Sequence, residues 1–426
     1  MAIVHTSERD RLRNLAARLR EEAEKPVMAE RKRQWRALRD LRPERPMILF
    51  ETGSVEGFTT PEELQCADPF LRAVERNMVE TIRHAEELGD DIVVDPWFRL
   101  GWQMDIPGFG IDVRMESGYD EKNDASLGYT FNFPIKSPAD LASLRERSFG
   151  VDREKTAGLK AVLEDTFGDI LPTRVGNYDH FMGPAGDEAF CGCFFLGLTW
   201  QIFRFIGNDS LLYWFYDEPE TIHALMRYMR DDRIALYRFL EREGLLVPNT
   251  DTQMAGPRAY GYVSDLPGPD SGGPSRLNQL WCWAEAQETV GISPAMYGEF
   301  ILPYLSEITD MFGLVYYGCC EPIHDRLELV MKEIPNLRSV SVSGWSDLEK
   351  VAEMMGKRYV YSRKPTPALV SGENPPWELA RDDMVRTYRA TKDSCVELLF
   401  RDVYTVGSQL GRLKEWVSMT KAIFGI

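Results

Sequence analysis

Short apolar runs recur along this chain, each followed by a longer stretch with apolar residues at helical spacing. The runs are rich in Val, Ile, Leu, Phe and Tyr and are bounded by Gly, Pro, Asp or Asn, which predicts buried strands at 46–54, 90–98, 169–177, 245–254, 314–320, 336–345, 357–365 and 395–405. Between them, Ser137-Pro138 and Asp217-Glu218-Pro219 start helices, and 189–243 reads as helical. Ser293-Pro294 caps the helix before the fifth strand. Residues 99–136 predict a Gly-rich insertion of loops and a hairpin. The Gly/Pro-rich 255–275 segment is long enough to predict an active-site loop. The 279–289 segment, with Trp281 and Trp283, is expected to be a helix or lid.

Strands alternating with helices in this number predict an α/β (β/α)8 TIM barrel with loop insertions, spanning 46–426. A doubly wound sheet is the alternative, and it lacks support because no G-x-G-x-x-G follows a strand and no Walker loop is present. Ahead of the barrel, 1–45 is a charged helical arm, with Leu12, Leu15, Ala16 and Leu19 on one face. Such an arm packs either on a partner subunit, as in a homodimer, or back on its own domain, and both remain open.

Composition narrows the picture only modestly. At 44% hydrophobic residues, the chain has ample material for a core. Its formal charge of −17 argues against nucleic acid and against anionic membranes. The N-terminus lacks the apolar run of a signal peptide, and no stretch approaches the roughly 18 apolar residues of a membrane helix. Seven cysteines, an odd number in a long chain, argue against a disulfide framework and for a reducing cytoplasm.

Barrel enzymes carry their chemistry where strands end. Here those ends offer Glu51, Asp95 with Trp97, Asn177 with Tyr178 and His180, Asp251, Cys319 with Glu321, Ser343 with Trp345, Lys364 and Asp402. Strand-end Asp residues also cap helices, and that is an equal role for Asp95 and Asp251. In LVYYGCCEPIH, strand alternation places Tyr317, Cys319 and Glu321 on one face and Cys320 on the other. A thiol and a carboxylate so placed suit a metal or a general acid. Lys364 shares a face with Ser362, and there it either holds an anionic group or pairs internally. His180 suits an acid/base or ligand role. Cys191-Gly192-Cys193 lies in an apolar run and reads as packing. No paired C-x-x-C and no G-x-S-x-G elbow is present, which leaves structural zinc and serine hydrolysis without support. Trp97, Trp102, Trp281 and Trp283 are expected either around an aromatic substrate or packing the lid.

The segments YYGCCEP, IPNLRSVSVSGW and YVYSRKPTPA resemble the uroporphyrinogen decarboxylase superfamily of barrels, and the likeness of pattern extends from about Pro46 to the C-terminus. That superfamily also holds cobalamin-dependent methyltransferases. The resemblance to this branch implies methyl transfer from a small donor, such as an aromatic methyl ether, to a corrinoid carried by a partner protein, since no D-x-H-x-x-G motif occurs here. Zinc in such enzymes sits on an H-x-C strand with a further cysteine. Here Tyr317 stands at the histidine position, Cys319 matches the first cysteine and Ser362 or a neighbour replaces the second, so the resemblance implies Cys319 as a metal ligand, with Glu321 expected beside it and His180 or a strand-end Asp as the other groups that could complete the set. The arginine-rich opening of the true decarboxylases is replaced by FETGS, with Glu51 where a cation would grip a polycarboxylate. The expected site therefore has Glu321, Asp95, His180 and Lys364 as catalytic groups. Glu51, Trp97, Asn177, Tyr178, Asp251, Trp283 and Tyr317 are expected to hold the substrate. A cofactor-free decarboxylase is the alternative, with Lys364 or Arg174 holding the carboxylate and Asp95 supplying the proton. A barrel that only binds a ligand is the third reading.

Overall fold

The structure, a computed structural model, describes residues 5–120, 125–177, 194–407 and 409–426; the side chains of 117, 119, 120 and 125–127 are outside the description. Tyr178, His180, Cys191 and Cys193 lie outside the described residues.

A six-stranded sheet organises the fold. Its strands run in the order Met47–Phe50, Cys395–Phe400, Val360–Lys364, Leu337–Ser343, Leu314–Tyr317 and Trp281–Ala284, and every neighbouring pair is parallel. Parallel neighbours require crossovers, and helices such as Leu327–Glu333, Leu348–Met355 and Trp377–Ala390 supply them. The chain is thus α/β. Two segments flank this sheet: Asp91 donates its N–H to Ile48, and Phe194 to Leu196 exchange backbone bonds with Trp283.

Strand alternation sorts the sheet into two faces. Ile48, Phe50, Val315, Tyr317, Val342 and Phe400 face the helices in the main core. Phe50, Phe400 and Trp416 meet there edge-on or tilted, with ring centroids 4.4–5.8 Å apart. Met47, Leu49, Trp283, Tyr316, Val360 and Leu399 form the other, inner face. This inner face is also polar. Arg39, at the end of helix Pro26–Arg39, donates to Glu397 (2.6 Å), Ser339 (2.8 Å) and the Tyr260 carbonyl (3.0 Å), all buried. Trp35 of the same helix donates to the Asp91 carbonyl at 2.9 Å. The N-terminal arm therefore packs on its own chain, with Arg39 reaching the inner face.

Three expected elements differ, for physical reasons. Residues 90–98 form no regular strand, and extended pairing starts at Phe98, in Phe98–Gly101 beside Thr173–Gly176. The Asp91 and Asp90 carboxylates accept from the Ile48 and Phe50 amides, both at 2.8 Å, taking the place of backbone carbonyls. Residues 245–250 are likewise not a strand. There Asn249 exchanges two side-chain bonds with the backbone of Trp281 (3.0 and 3.1 Å), and Asn177 bonds both ends of Val247. The expected lid at 279–289 is instead the sheet strand Trp281–Ala284. Trp-Cys-Trp-Ala alternates across it and buries both tryptophans. The insertion does contain a hairpin, Met115–Asp120 with Ala125–Phe131. Among the described residues no helix is long and apolar enough to cross a membrane.

Candidate active site

The C-terminal ends of the sheet strands meet in one polar arc. Its centre is the turn after Leu314–Tyr317. Gly318, at φ +93°, adopts a backbone conformation open to glycine and breaks the strand alternation. The face expected for Tyr317, Cys319 and Glu321 is therefore not shared. Tyr317 points toward the helices and meets the Tyr297 hydroxyl at 2.6 Å, whereas Cys319 joins the inner face beside Tyr316. Cys320 does not point away from Cys319, and the two sulfurs lie 3.6 Å apart. Three bonds fix this turn. Trp283 Nε1 donates to the Gly318 carbonyl (3.0 Å), Ser341 Oγ donates to the Cys319 carbonyl (2.6 Å), and the Cys319 amide donates to Glu321 Oε2 (2.8 Å).

Beyond the turn the arc runs in both directions. On one side Cys320 Sγ lies 3.6 Å from Asp402 Oδ2. Arg401 pairs with Asp402 at 3.1 Å and with Glu51 at 3.6 Å. Burial opposes the Arg401 charge, but Glu51, the cysteines and Asp402 outweigh it and hold the guanidinium above its usual range. On the other side stand three carboxyls, the buried Glu285 and Glu321 and the half-buried Glu288. Glu285 is fully buried, and its Oε1 has no hydrogen-bond partner. Burial, then the charges of Glu288 and Glu321, push its carboxyl well above the usual range. Burial likewise raises Glu321, and it lifts Glu288 to about 7 although Thr199 Oγ1 donates to Glu288 Oε2 at 2.7 Å.

Glu288, Cys320 and Glu321 line a cavity of about 680 Å³, within the usual range for small-molecule sites. Its other walls are largely apolar: Trp200, Phe203, Tyr129, Val290, Pro322 and Trp345. Trp200 and Phe203 stack at 5.7 Å and meet Phe131 of the hairpin edge-on. Arg204 lies over Phe131. The mouth is rimmed by exposed Tyr129 and Trp345.

The expected site residues therefore divide. Glu51, Cys319 and Glu321 belong to the arc. Lys364 is on the inner face, bonded to Tyr316 Oη (2.8 Å) and Ser362 Oγ (2.9 Å), and burial brings its ammonium down to about 7. Asp95 and Asp251 form a separate group. Arg99 pairs with Asp251 at 2.7 Å, Lys32 of the N-terminal arm lies 3.6 Å from Asp95, and Thr252 donates to Asp95. Burial and then the Asp251 charge raise the Asp95 carboxyl. Trp97 sits under Arg174, 3.8 Å from its centroid. Trp283 and Asn177 are buried and hold backbone rather than facing the cavity. Glu285, Glu288, Arg401 and Trp200 were not anticipated. Reading Trp281, Trp283 and Glu285 as one alternating strand face would have found Glu285 and led to Glu288.

Among the described residues no three His, Cys, Asp or Glu side chains gather as a metal would require. Glu321 turns its carboxylate to backbone amides, and the Cys320 thiol, then burial, keep Cys319 well above the ordinary thiol range. Among the described residues, Cys319 and Glu321 find no third ligand for zinc, and His180 lies outside them.

No family model matches the chain, and no curated protein does. A solved methyltransferase from Methanosarcina mazei aligns with 92% of this chain and 99% of its own, at 12% identity and a TM-score of 0.47.

Proposed function

We propose that this protein is an enzyme that takes a methyl group from an aromatic methyl ether held in the cavity and passes it to a corrinoid carried by a partner protein. The observation that carries this reading is the Glu288 carboxyl, raised to about 7, in the wall of a largely aromatic and apolar cavity that Gln287, Cys320 and Glu321 also line. Ether cleavage expels an alkoxide-like oxygen, and a positioned acid is what makes that oxygen a leaving group. Thr199 donates to Glu288 Oε2 and holds the carboxyl in place. As the methyl carbon–oxygen bond breaks, its electron pair stays on oxygen, which takes the Glu288 proton and departs as a phenol. Burial and negative charge on Glu321 both disfavour the Glu288 carboxylate, and so favour return of the proton to it. Trp200 and Phe203 offer ring faces for the donor. The corrinoid supplies the nucleophile that accepts the methyl group. The residues fit it in one respect, an open mouth edged by Tyr129 and Trp345 that admits a large flat group.

In the same proposal the sheet extends to a closed eight-stranded barrel, through the segments beside Met47–Phe50 and Trp281–Ala284. The decarboxylase alternative needs a free cation for a carboxylate. Lys364 is turned to Tyr316 and Ser362, and Arg174 pairs with Asp270 at 3.1 Å. The test supplies a panel of aromatic methyl ethers with a reduced corrinoid protein and measures the phenol released. Release that falls sharply in Glu288→Gln supports the reading. Carbon dioxide release from aromatic acids without any corrinoid protein, and no phenol, would overturn it.

A further inference from the structure

Adjacent cysteines are seldom placed so that their sulfurs meet, because successive side chains of extended backbone diverge. Here the glycine-enabled turn at Gly318 brings Cys319 Sγ and Cys320 Sγ to 3.6 Å, in direct contact. The two thiols differ in access. Cys320 is exposed and lines the cavity, while Cys319 is 6% exposed and packed on the inner face with Tyr316. Cys320 Sγ donates to Asp402 Oδ2 at 3.6 Å. An exposed sulfur that lines a cavity, backed by a second sulfur in contact, is the arrangement of an attacking and a resolving thiol. Neither thiol has a part in the proposed methyl transfer.

We propose that Cys319 and Cys320 are a thiol-modification site that closes to a vicinal disulfide by exchange with small-molecule disulfides. Cys320 Sγ attacks one sulfur of the incoming disulfide, and its proton leaves with the first expelled thiol. The resulting mixed disulfide sits at Cys320 in the cavity wall. Cys319 Sγ then attacks Cys320 Sγ, and its proton leaves with the second expelled thiol. The chain loses two hydrogens and two electrons, and the oxidant is reduced to two thiols. Consecutive Cα atoms are only about 3.8 Å apart across a trans peptide, shorter than the usual span of about 4.4–6.8 Å for disulfide-linked residues. The ring is therefore readily reduced, as reversible disulfides are. Closing it draws Cys320 away from Asp402 and reshapes the wall beside Glu321.

The experiment treats the reduced full-length protein with glutathione disulfide, then blocks free thiols and maps the peptide carrying Cys319 and Cys320 by mass spectrometry. In the wild type both cysteines are expected to escape blocking, with no glutathione retained, and to return fully on brief treatment with a monothiol. In Cys319→Ser the resolving sulfur is gone, and glutathione should rise from almost none to about one equivalent, held on Cys320. In Cys320→Ser neither product should form. Circular dichroism of each variant checks that it is folded. Glutathione persisting on wild-type Cys320, a bond from Cys320 to any other cysteine, or both thiols remaining free in folded protein would each overturn the proposal.

Discussion

Replacing Glu288 by Gln should move activity and stability in opposite directions. Gln keeps the shape and still accepts from Thr199, but it has no proton to give. Loss of a positioned general acid costs about 10²–10⁴-fold in turnover, and that is the expected fall in kcat. The wild-type rate should also drop on the alkaline side. With the carboxyl raised to about 7, about half the molecules hold the proton at pH 7 and about a tenth at pH 8, so the rate declines close to tenfold per unit above that. The residual rate of the variant should lack this limb. Stability gives a second readout. The folded carboxyl keeps its proton up to about 7, while the unfolded one releases it near 4.5. The folded chain therefore binds more protons between those values. The contribution is fully present below about 4.5 and is lost as pH rises through 7. A difference of about 2.5 units corresponds to about 3 kcal/mol, an upper figure for a group that solvent partly reaches. Urea unfolding should find Glu288→Gln close to wild type at pH 4.5 and more stable by up to about 3 kcal/mol at pH 8. A variant that keeps the alkaline limb, or that shows no pH-dependent gain in stability, would refute the assignment of the proton to Glu288.

Other substitutions test the frame around the site. Arg39→Met strands the buried Glu397 carboxylate and should cost about 3–5 kcal/mol in urea unfolding, with loss of packing between the N-terminal arm and the sheet. Asn249→Ala leaves the Trp281 N–H and C=O unpaired in the interior, at about 1–3 kcal/mol for each group, measured in the same way. Trp200→Ala removes a ring face from the cavity, and steady-state kinetics should show KM for an aromatic donor rising about 3- to 10-fold, from about 0.5–1.5 kcal/mol of ring contact. Unchanged KM in a folded Trp200→Ala protein would remove the donor from that wall.

Much of the frame was legible as short apolar runs set between turn residues. The runs at 47–50, 314–317, 337–343, 360–364 and 395–400 are continuous, β-branched or aromatic, and bounded by turn residues. Two of the misreadings share one cause. At Asp90-Asp91 and at Asn177 with Asn249, side chains imitate the backbone of a missing strand partner. A sequence shows an apolar run there, but not that its neighbours are held by carboxylates and amides. The Trp281 strand was missed because four residues, two of them tryptophan, carry no period long enough to tell strand from helix. Glu285 and Glu288 went with it. Gly318 is a subtler loss, since one residue of positive φ reverses every facing assignment after it.

The arc's two halves neutralise charge by different means, and the difference locates the chemistry. Around Glu51 and Asp402 the counter-charge is Arg401, a guanidinium that never gives up its proton. Around Glu285 and Glu288 the strongest charged neighbours are other carboxyls. Arg326 is turned to Thr289 and lies over the Tyr297 ring, so its pull on Glu321 falls short of the cost of burial. A buried carboxyl without a cation keeps its proton instead. Pairing by arginine fixes a structure, and pairing by a proton stores something that can be handed over. The apolar cavity opens on Glu288 and Glu321, carboxyls whose burial no paired cation offsets, and that coincidence is the physical ground for placing acid catalysis there.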